Sequence, residues 1–371
     1  MDTTTDVLIM GGGAIALSIA IELALQGAEV TILSRDFNQA AVHAAAGMLA
    51  PQAESLLPSP MLELCLRSRS LYSDWTRKLE ALTGLDTEYW PCGILAPAYA
   101  EDIAGGEVPP FQESRSPMVS QWLDQAAIHQ QQPGLSPEVV GGWWFPEDAQ
   151  VNNRALARVL WVAAQELGVN LHEGNPVEAI QQQDDRVVGV KTPSGDWQAE
   201  QYILATGAWS GELLPAVPVV PRKGQMLSVG IPSSCWSDQP LKQVLFGSQI
   251  YLVPRRVGRI VIGATSEDVG FTPNNTAAGI QFLLEQAMKL YPPLQDFPIQ
   301  EFWWGFRPAT PDTWPILGIG PWENLILATG HYRNGILLAP ITAALIADLA
   351  LHQKADPLLM AFDWRRFRHP S

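Results

Sequence analysis

Residues 6–34 read DVLIMGGGAIALSIAIELALQGAEVTILS. The run from Asp6 to Met10 has the composition of a buried strand, and it feeds Gly11-Gly12-Gly13-Ala14-Ile15-Ala16. A helix-compatible stretch from Ala14 to Gln26 follows, then Gly27, then a second strand from Glu29 to Leu33. This is the Gly-x-Gly-x-x-Ala form of a dinucleotide fingerprint, in the strand–turn–helix setting that its chemistry requires. Gly11 allows the tight turn, Gly13 lets the backbone approach a pyrophosphate, and the small Ala16 lets the helix pack close to the strand. Ala14 and Ile15 open the helix, where unpaired N–H groups face an anion. The stretch therefore predicts a Rossmann-like α/β unit with a dinucleotide at its helix N-terminus.

One position departs from the fingerprint. Where an acidic side chain usually closes the second strand and takes the ribose hydroxyls, this chain has Ser34, followed by Arg35 and Asp36. A serine and an arginine also suit a 2′-phosphate, so NADP stays open as a cofactor at this point.

A second strand–turn–helix lies near the other end, at residues 326–340, ILATGHYRNGILLAP. Ile326 to Ala328 read as a short strand running into Thr329-Gly330, and an apolar run opens after Asn334. Pro340 is expected near the helix start, where backbone N–H groups lack intrahelical partners anyway. The turn carries His331, Arg333 and Asn334 beneath a partly positive helix N-terminus. Such a place stabilises a group that becomes anionic, such as the pyrimidine end of a reduced flavin. The same pattern also fits an ordinary polar turn before a buried helix.

Four segments together carry a family resemblance: Ala44-Ala45-Ala46-Gly47-Met48-Leu49, Ala205-Thr206-Gly207-Ala208-Trp209-Ser210, Gly305-Phe306-Arg307-Pro308 and the 326–340 stretch. In this order they resemble the FAD-dependent glycine oxidases of the D-amino-acid oxidase group, from Asp6 to about His352. The thiamine-pathway members of that group make the glycine imine used to build a thiazole ring. The resemblance implies FAD, glycine and oxygen as reactants, a hand-over of imine to a thiazole synthase, and a homotetramer. It also implies roles for particular residues. Arg307 would bind the substrate carboxylate, Tyr251 would reach the same carboxylate, and Arg333 would meet the substrate beside the flavin. Ala46, Gly47 and Met48, with Ala50, would lie at the flavin's face. Val177, Gly207, His331, Asn334, Gly335, Ile336 and Leu337 join Gly11, Gly13, Ala14, Ile15, Ser34 and Arg35 as cofactor contacts. Ser266 matches a variable pocket position. Phe246-Gly247-Ser248-Gln249 differs from relatives in which a histidine stands near Gln249, which bears on substrate range.

An amino-acid oxidase has three needs: an anchored carboxylate, an amine free of its extra proton, and a Cα hydrogen aimed at the flavin. None requires a side-chain base, so positioning carries most of the effect and the cofactor carries the redox chemistry. Read from the residues alone, Arg307 could equally cap a strand end and Tyr251 could be packing. Alternatives to the oxidase are a dehydrogenase of the same fold that passes electrons to a quinone or carrier, an NADP-dependent oxidoreductase, and a non-catalytic flavoprotein.

Composition is consistent with an ordered two-domain protein. The chain has 371 residues, 47% hydrophobic and 16% charged, with a net charge of −15. No basic tract points to nucleic acid. Cys65, Cys92 and Cys235 lack C-x-x-C spacing, so neither a disulfide framework nor a zinc site is expected, and a reduced cytoplasmic setting is the simplest reading. His43, His129, His172, His352 and His369 show no metal-binding pairing, and no serine sits in a G-x-S-x-G elbow. Asp2 and Asp6 argue against a signal peptide at the apolar N-terminus, and Glu22 and Asp348 interrupt the longest apolar runs.

The elements read as interleaved. A discontinuous FAD-binding domain is expected over residues 1–85, 146–220 and 305–371. Residues 86–145 and 221–304 would form an antiparallel-sheet substrate domain, with strands near Gln225–Val229, Ile250–Val253, Arg259–Ala264 and Gln300–Trp304 and a helix near Ala277–Tyr291.

Overall fold

The structure is a computed structural model that describes residues 4–54, 57–104, 120–233 and 240–368. Cys235 and His369 lie outside the described residues. One eight-stranded sheet is built around Thr4–Met10. Val30–Ser34 and then Asn170–Glu173 lie on one side of it, and Gly195–Leu204 and Leu325–Thr329 on the other, all parallel. Ile316–Ile319 adds an antiparallel edge. The hairpin Ala179–Gln183/Arg186–Thr192 pairs antiparallel with Gly195–Leu204. Strand order reverses at Thr4–Met10, so the crevice above its carboxyl end is a ligand position by topology.

Helices Ala14–Leu25, Pro60–Thr83, Asn153–Glu166 and Gly335–His352 share one apolar core with this sheet. Gly335–His352 is apolar all round, as a helix enclosed by protein must be. Despite Asp348, it is long and apolar enough to cross a membrane, the one such helix among the described residues. Yet 72% of it is buried in the protein.

Pro340 lies in the second turn of that helix rather than at its start. It has no N–H for the carbonyl of Ile336, four residues earlier. The Tyr72 hydroxyl, from helix Pro60–Thr83, donates to that carbonyl at 2.7 Å. Ser68 on the same helix donates to the carbonyl of Leu337 at 2.6 Å.

The second eight-stranded sheet runs in the order Ile299–Ala309, Val220–Gly230, Arg259–Gly263, Tyr251–Arg255, Val244–Phe246, Ile94–Tyr99, Val139–Phe145, Gln121–Asp124. It is antiparallel except where Val244–Phe246 runs alongside Ile94–Tyr99. Helix Ala277–Leu290 covers it with a separate apolar cluster. The strand Ile299–Ala309 continues five residues beyond Trp304, so Arg307 sits inside the antiparallel sheet, in register with Arg222.

Candidate active site

A cavity of about 760 Å³ begins at the fingerprint turn and reaches Arg307 and Tyr251 in the second sheet. At the first end, Gly11 has φ +113°, a conformation that favours glycine, and a Cβ there would run into the carbonyl of Ala205. Helix Ala14–Leu25 starts from Gly13 with no side-chain cap, so its first N–H groups lie open beside Gly13, Ala14 and Ile15 in the cavity wall. Ser34 is buried with its Oγ packed against Gly12, which leaves little room for a longer acidic side chain. Arg35 lies over the Trp209 ring, 5.3 Å from its centre, and Trp209 stacks on Phe271. Val177 and Gly207 line the same end.

The segment 42–48 forms the next stretch of wall, and side chains from distant elements take its carbonyls. Asn153 Nδ2 donates to Val42 O at 2.7 Å. Trp303 Nε1 donates to Ala44 O at 3.1 Å. Arg255 donates to Ala46 O at 2.6 Å and to Asn153 Oδ1 at 3.2 Å. Arg255 is buried, and burial pushes its guanidinium down to about 10, still charged at neutral pH. Gly47 has φ +75° and sits so close to the carbonyl of Val151 that no Cβ fits. Ala46, Gly47 and Met48 face the cavity. His43 does not; its ring packs edge-on against Phe37.

At the far end stand Arg307, Tyr251 and Arg333. Arg307 donates to Thr265 O at 3.1 Å and lies over Gly224, where a Cβ would displace it. Among the described residues it has no carboxylate partner. Tyr251 donates to Met226 Sδ at 3.3 Å. Burial raises its phenol above the ordinary range, while Arg307 and Arg333 pull the other way. The turn holding Arg333 is tied to the Arg307 strand by Tyr332 N–H donating to Pro308 O at 3.0 Å. Arg333 pairs with Glu54 at 3.2 Å, and the charge of Glu54 raises its guanidinium further. His331 lines the cavity, shares a 3.1 Å hydrogen bond with Thr342 Oγ1, and is held neutral by burial, at about 3.

Gly335, Ile336, Ser266 and Phe246 to Gln249 also line the cavity. Asn334, Leu337 and Ala50 do not. Asn334 is the residue before the helix, and its N–H is turned back to His331 O. Leu337 points away from the cavity because each helical residue rotates about 100° from the last. Its carbonyl meets Ser68 instead. Nothing in the local spacing of Glu54, Arg255 or Asn153 marks these functional roles in the sequence.

These residues fit a flavin dinucleotide. Two long helices, Ala14–Leu25 and Gly335–His352, point N-termini without side-chain caps at one cavity, and that cavity is of cofactor size. A parallel sheet with a diphosphate cradle, opening onto an arginine–tyrosine pocket in a second sheet, defines a dinucleotide-dependent oxidoreductase. The chain belongs to the FAD dependent oxidoreductase family, which it matches over residues 6–349. Its cofactor is therefore FAD, and the NADP alternative falls.

The glycine oxidase of Bacillus subtilis (strain 168) is 30% identical over 95% of this chain and 94% of its own length. The bifunctional protein ThiO/ThiG of Nostoc sp. is 64% identical over 98% of this chain. This chain spans 55% of that relative's length. The crystal structure of glycine oxidase from Geobacillus kaustophilus superimposes with a TM-score of 0.89 at 32% identity, covering 99% of this chain and all of that one.

Proposed function

We propose that this chain oxidises glycine, and secondarily sarcosine or short D-amino acids, to an imine that hydrolyses to a 2-oxo acid and ammonia. The observation that carries this reading is Arg307, a guanidinium that has no carboxylate partner among the described residues and lines the cavity with Tyr251. Arg307 takes the substrate carboxylate, and the Tyr251 hydroxyl, now held by a weak sulfur acceptor, turns to share it. Arg333 and the neutral His331 flank the reacting carbon. The amine gives up its proton, and Cα gives up hydrogen with two electrons. Bound FAD supplies the two-electron acceptor, and passing those electrons to oxygen gives hydrogen peroxide. No side chain need act as base, so binding, orientation and exclusion of water carry the catalysis.

The likeness to thiamine-pathway glycine oxidases and the printed name ThiO/ThiG support delivery of the imine to a thiazole synthase, and the scattered cysteines fit a reduced cytoplasm. On this reading residues 1–85, 146–220 and 305–371 hold FAD, and 86–145 with 221–304 shape the substrate pocket. The strand bearing Arg307 crosses that boundary. A tetramer, implied by the same likeness, is tested by analytical ultracentrifugation.

The deciding experiment is the visible spectrum before and after anaerobic glycine. Bleaching by glycine is expected. A yellow protein indifferent to glycine, sarcosine and D-alanine overturns the substrate class. Reduction by glycine followed by sluggish reoxidation in air, with fast transfer to a quinone, selects the dehydrogenase.

A further inference from the structure

The family resemblance implies that Arg333 meets the substrate through its backbone carbonyl or its side chain, and in the structure its guanidinium is engaged by a carboxylate. Glu54, which lines the same cavity, holds it at 3.2 Å. The Glu54 side chain is only 13% exposed, and the turn that carries it is fixed from behind. Its own N–H donates to Ala50 O at 3.1 Å. Buried Asp148 accepts the N–H groups of Gln52 and Ala53 at 3.3 and 2.9 Å, and Arg69 pairs with Asp148 at 2.7 Å. Glu54 is thus presented to Arg333 by a built support. The phenol of Tyr251 feels the charges of Arg307, Arg333 and Glu54 together, so the four groups share one end of the cavity.

Resting on the glycine-oxidising reading, we propose that Glu54 sets substrate class by charge, admitting amines with one carboxylate and rejecting those with two. Among the described residues Arg307 is the uncompensated cation there, because Arg333 and Glu54 cancel. One carboxylate satisfies Arg307. A second carboxylate finds Arg333 occupied and meets the negative Glu54, whose side chain is 13% exposed against 41% for Arg333, and like charges brought together there are disfavoured. Specificity of this kind needs a repulsive element, and Glu54 is the acidic side chain placed to be one.

The test uses redox-inert acids read by their perturbation of the visible spectrum of the FAD-loaded protein, so that turnover is not the readout. Acetate is compared with malonate, succinate and glutarate, in wild type, Glu54→Gln, and Glu54→Gln/Arg333→Met. Wild type should favour acetate. In Glu54→Gln, at least one dicarboxylate should tighten relative to acetate by about tenfold, the worth of one new charge-assisted pair. The double variant should lose that gain. With iminodiacetate as substrate, the gain should fall mainly on KM. Arg333→Met alone should weaken all four acids several-fold, because Glu54 is then uncompensated. A dicarboxylate-to-acetate ratio unchanged within twofold in Glu54→Gln, or a gain that survives in the double variant, overturns the proposal. Bleaching by glycine is scored separately, so the oxidase reading can stand while this one falls, and a protein that glycine does not bleach marks a failure of the oxidase reading itself.

Discussion

Tyr72→Phe isolates a single hydrogen bond that shapes the cofactor wall. Pro340 leaves the carbonyl of Ile336 without its helical N–H, and the Tyr72 hydroxyl fills that role at 2.7 Å. Both residues are buried, with Tyr72 fully enclosed, so no water takes over when the hydroxyl goes. Phenylalanine keeps the packing and removes only the donor. The loss should be that of an unsatisfied buried carbonyl, roughly 1–3 kcal/mol. Ser68→Ala should cost less, about 0.5–1.5 kcal/mol, because Leu337 O keeps the N–H of Ile341 as an intrahelical partner. Pro340→Ala restores an N–H to Ile336 O, so Tyr72→Phe in that background should be nearly neutral. Urea unfolding followed by tryptophan fluorescence on the four corners of the cycle gives the coupling, expected at about 1 kcal/mol or more. Ile336 also lines the cavity, so FAD should dissociate faster from Tyr72→Phe than from wild type. Equal costs of Tyr72→Phe with proline and with alanine at 340 would refute the reasoning.

Arg307→Leu should lower kcat/KM for glycine by the roughly 3–5 kcal/mol that follows from breaking a buried carboxylate pair, with the visible spectrum of bound FAD intact. Steady-state oxygen uptake checks it, and Arg307→Lys should recover only part, because it keeps the charge and loses the fork. Arg255→Met frees the carbonyl of Ala46 and should increase loss of flavin on dialysis, followed by absorbance. His331 stays neutral to about pH 3, whereas an unfolded histidine titrates near 6.5. Its contribution to stability is therefore complete above pH 6.5 and is lost as pH falls toward 3. His331→Gln should flatten the fall in unfolding free energy between pH 6.5 and 5 by about 2 kcal/mol, measured by urea titration at each pH.

The features legible in the sequence are those whose physics is local. The fingerprint at 6–34 is a strand, a turn needing glycine and a helix start, all set by neighbours in the chain, and the helix Ala14–Leu25 falls where its pattern predicts. The turn before Gly335 was readable for the same reason. Leu337 and Asn334 fall outside the cavity wall because a motif names consecutive residues, while a helix turns them to different faces. Ile336 meets the cavity and Leu337 does not. Glu54 and Arg333 are 279 positions apart, and Arg255 and Ala46 are 209 apart. No period or spacing encodes such pairs; only tertiary packing creates them. Sequence rules put Pro340 at a helix start because a lone sequence cannot show that a tyrosine on another helix replaces the missing donor.

Two strands of the second sheet show why that packing matters to the chemistry. Along a strand, alternate residues share a face. On Tyr251–Arg255 this puts Tyr251 and Arg255 on one side, roughly 13 Å apart at the usual rise per residue. Tyr251 stands at the substrate end, and Arg255 clamps the carbonyl of Ala46 in the loop beside the cofactor. On Ile299–Ala309 the same alternation aligns Trp303, Gly305 and Arg307. Trp303 bonds the carbonyl of Ala44, Gly305 leaves room for the Ala44 methyl, and Arg307 reaches the substrate end. Each strand thus carries a substrate contact and a clamp on the cofactor loop, joined by rigid paired backbone. Hydride transfer depends steeply on the distance between Cα and its acceptor, and a displacement of about 1 Å can cost 100-fold in rate. Building both contacts on one strand fixes that distance without relying on the relative placement of two separate loops. A clamp variant such as Arg255→Met should therefore lower the rate of flavin reduction at saturating glycine, even in the fraction that keeps FAD. Arg307→Leu should instead act chiefly on KM. Stopped-flow reduction of both variants separates the two, and a purely KM effect in Arg255→Met would show that the strand does not transmit position.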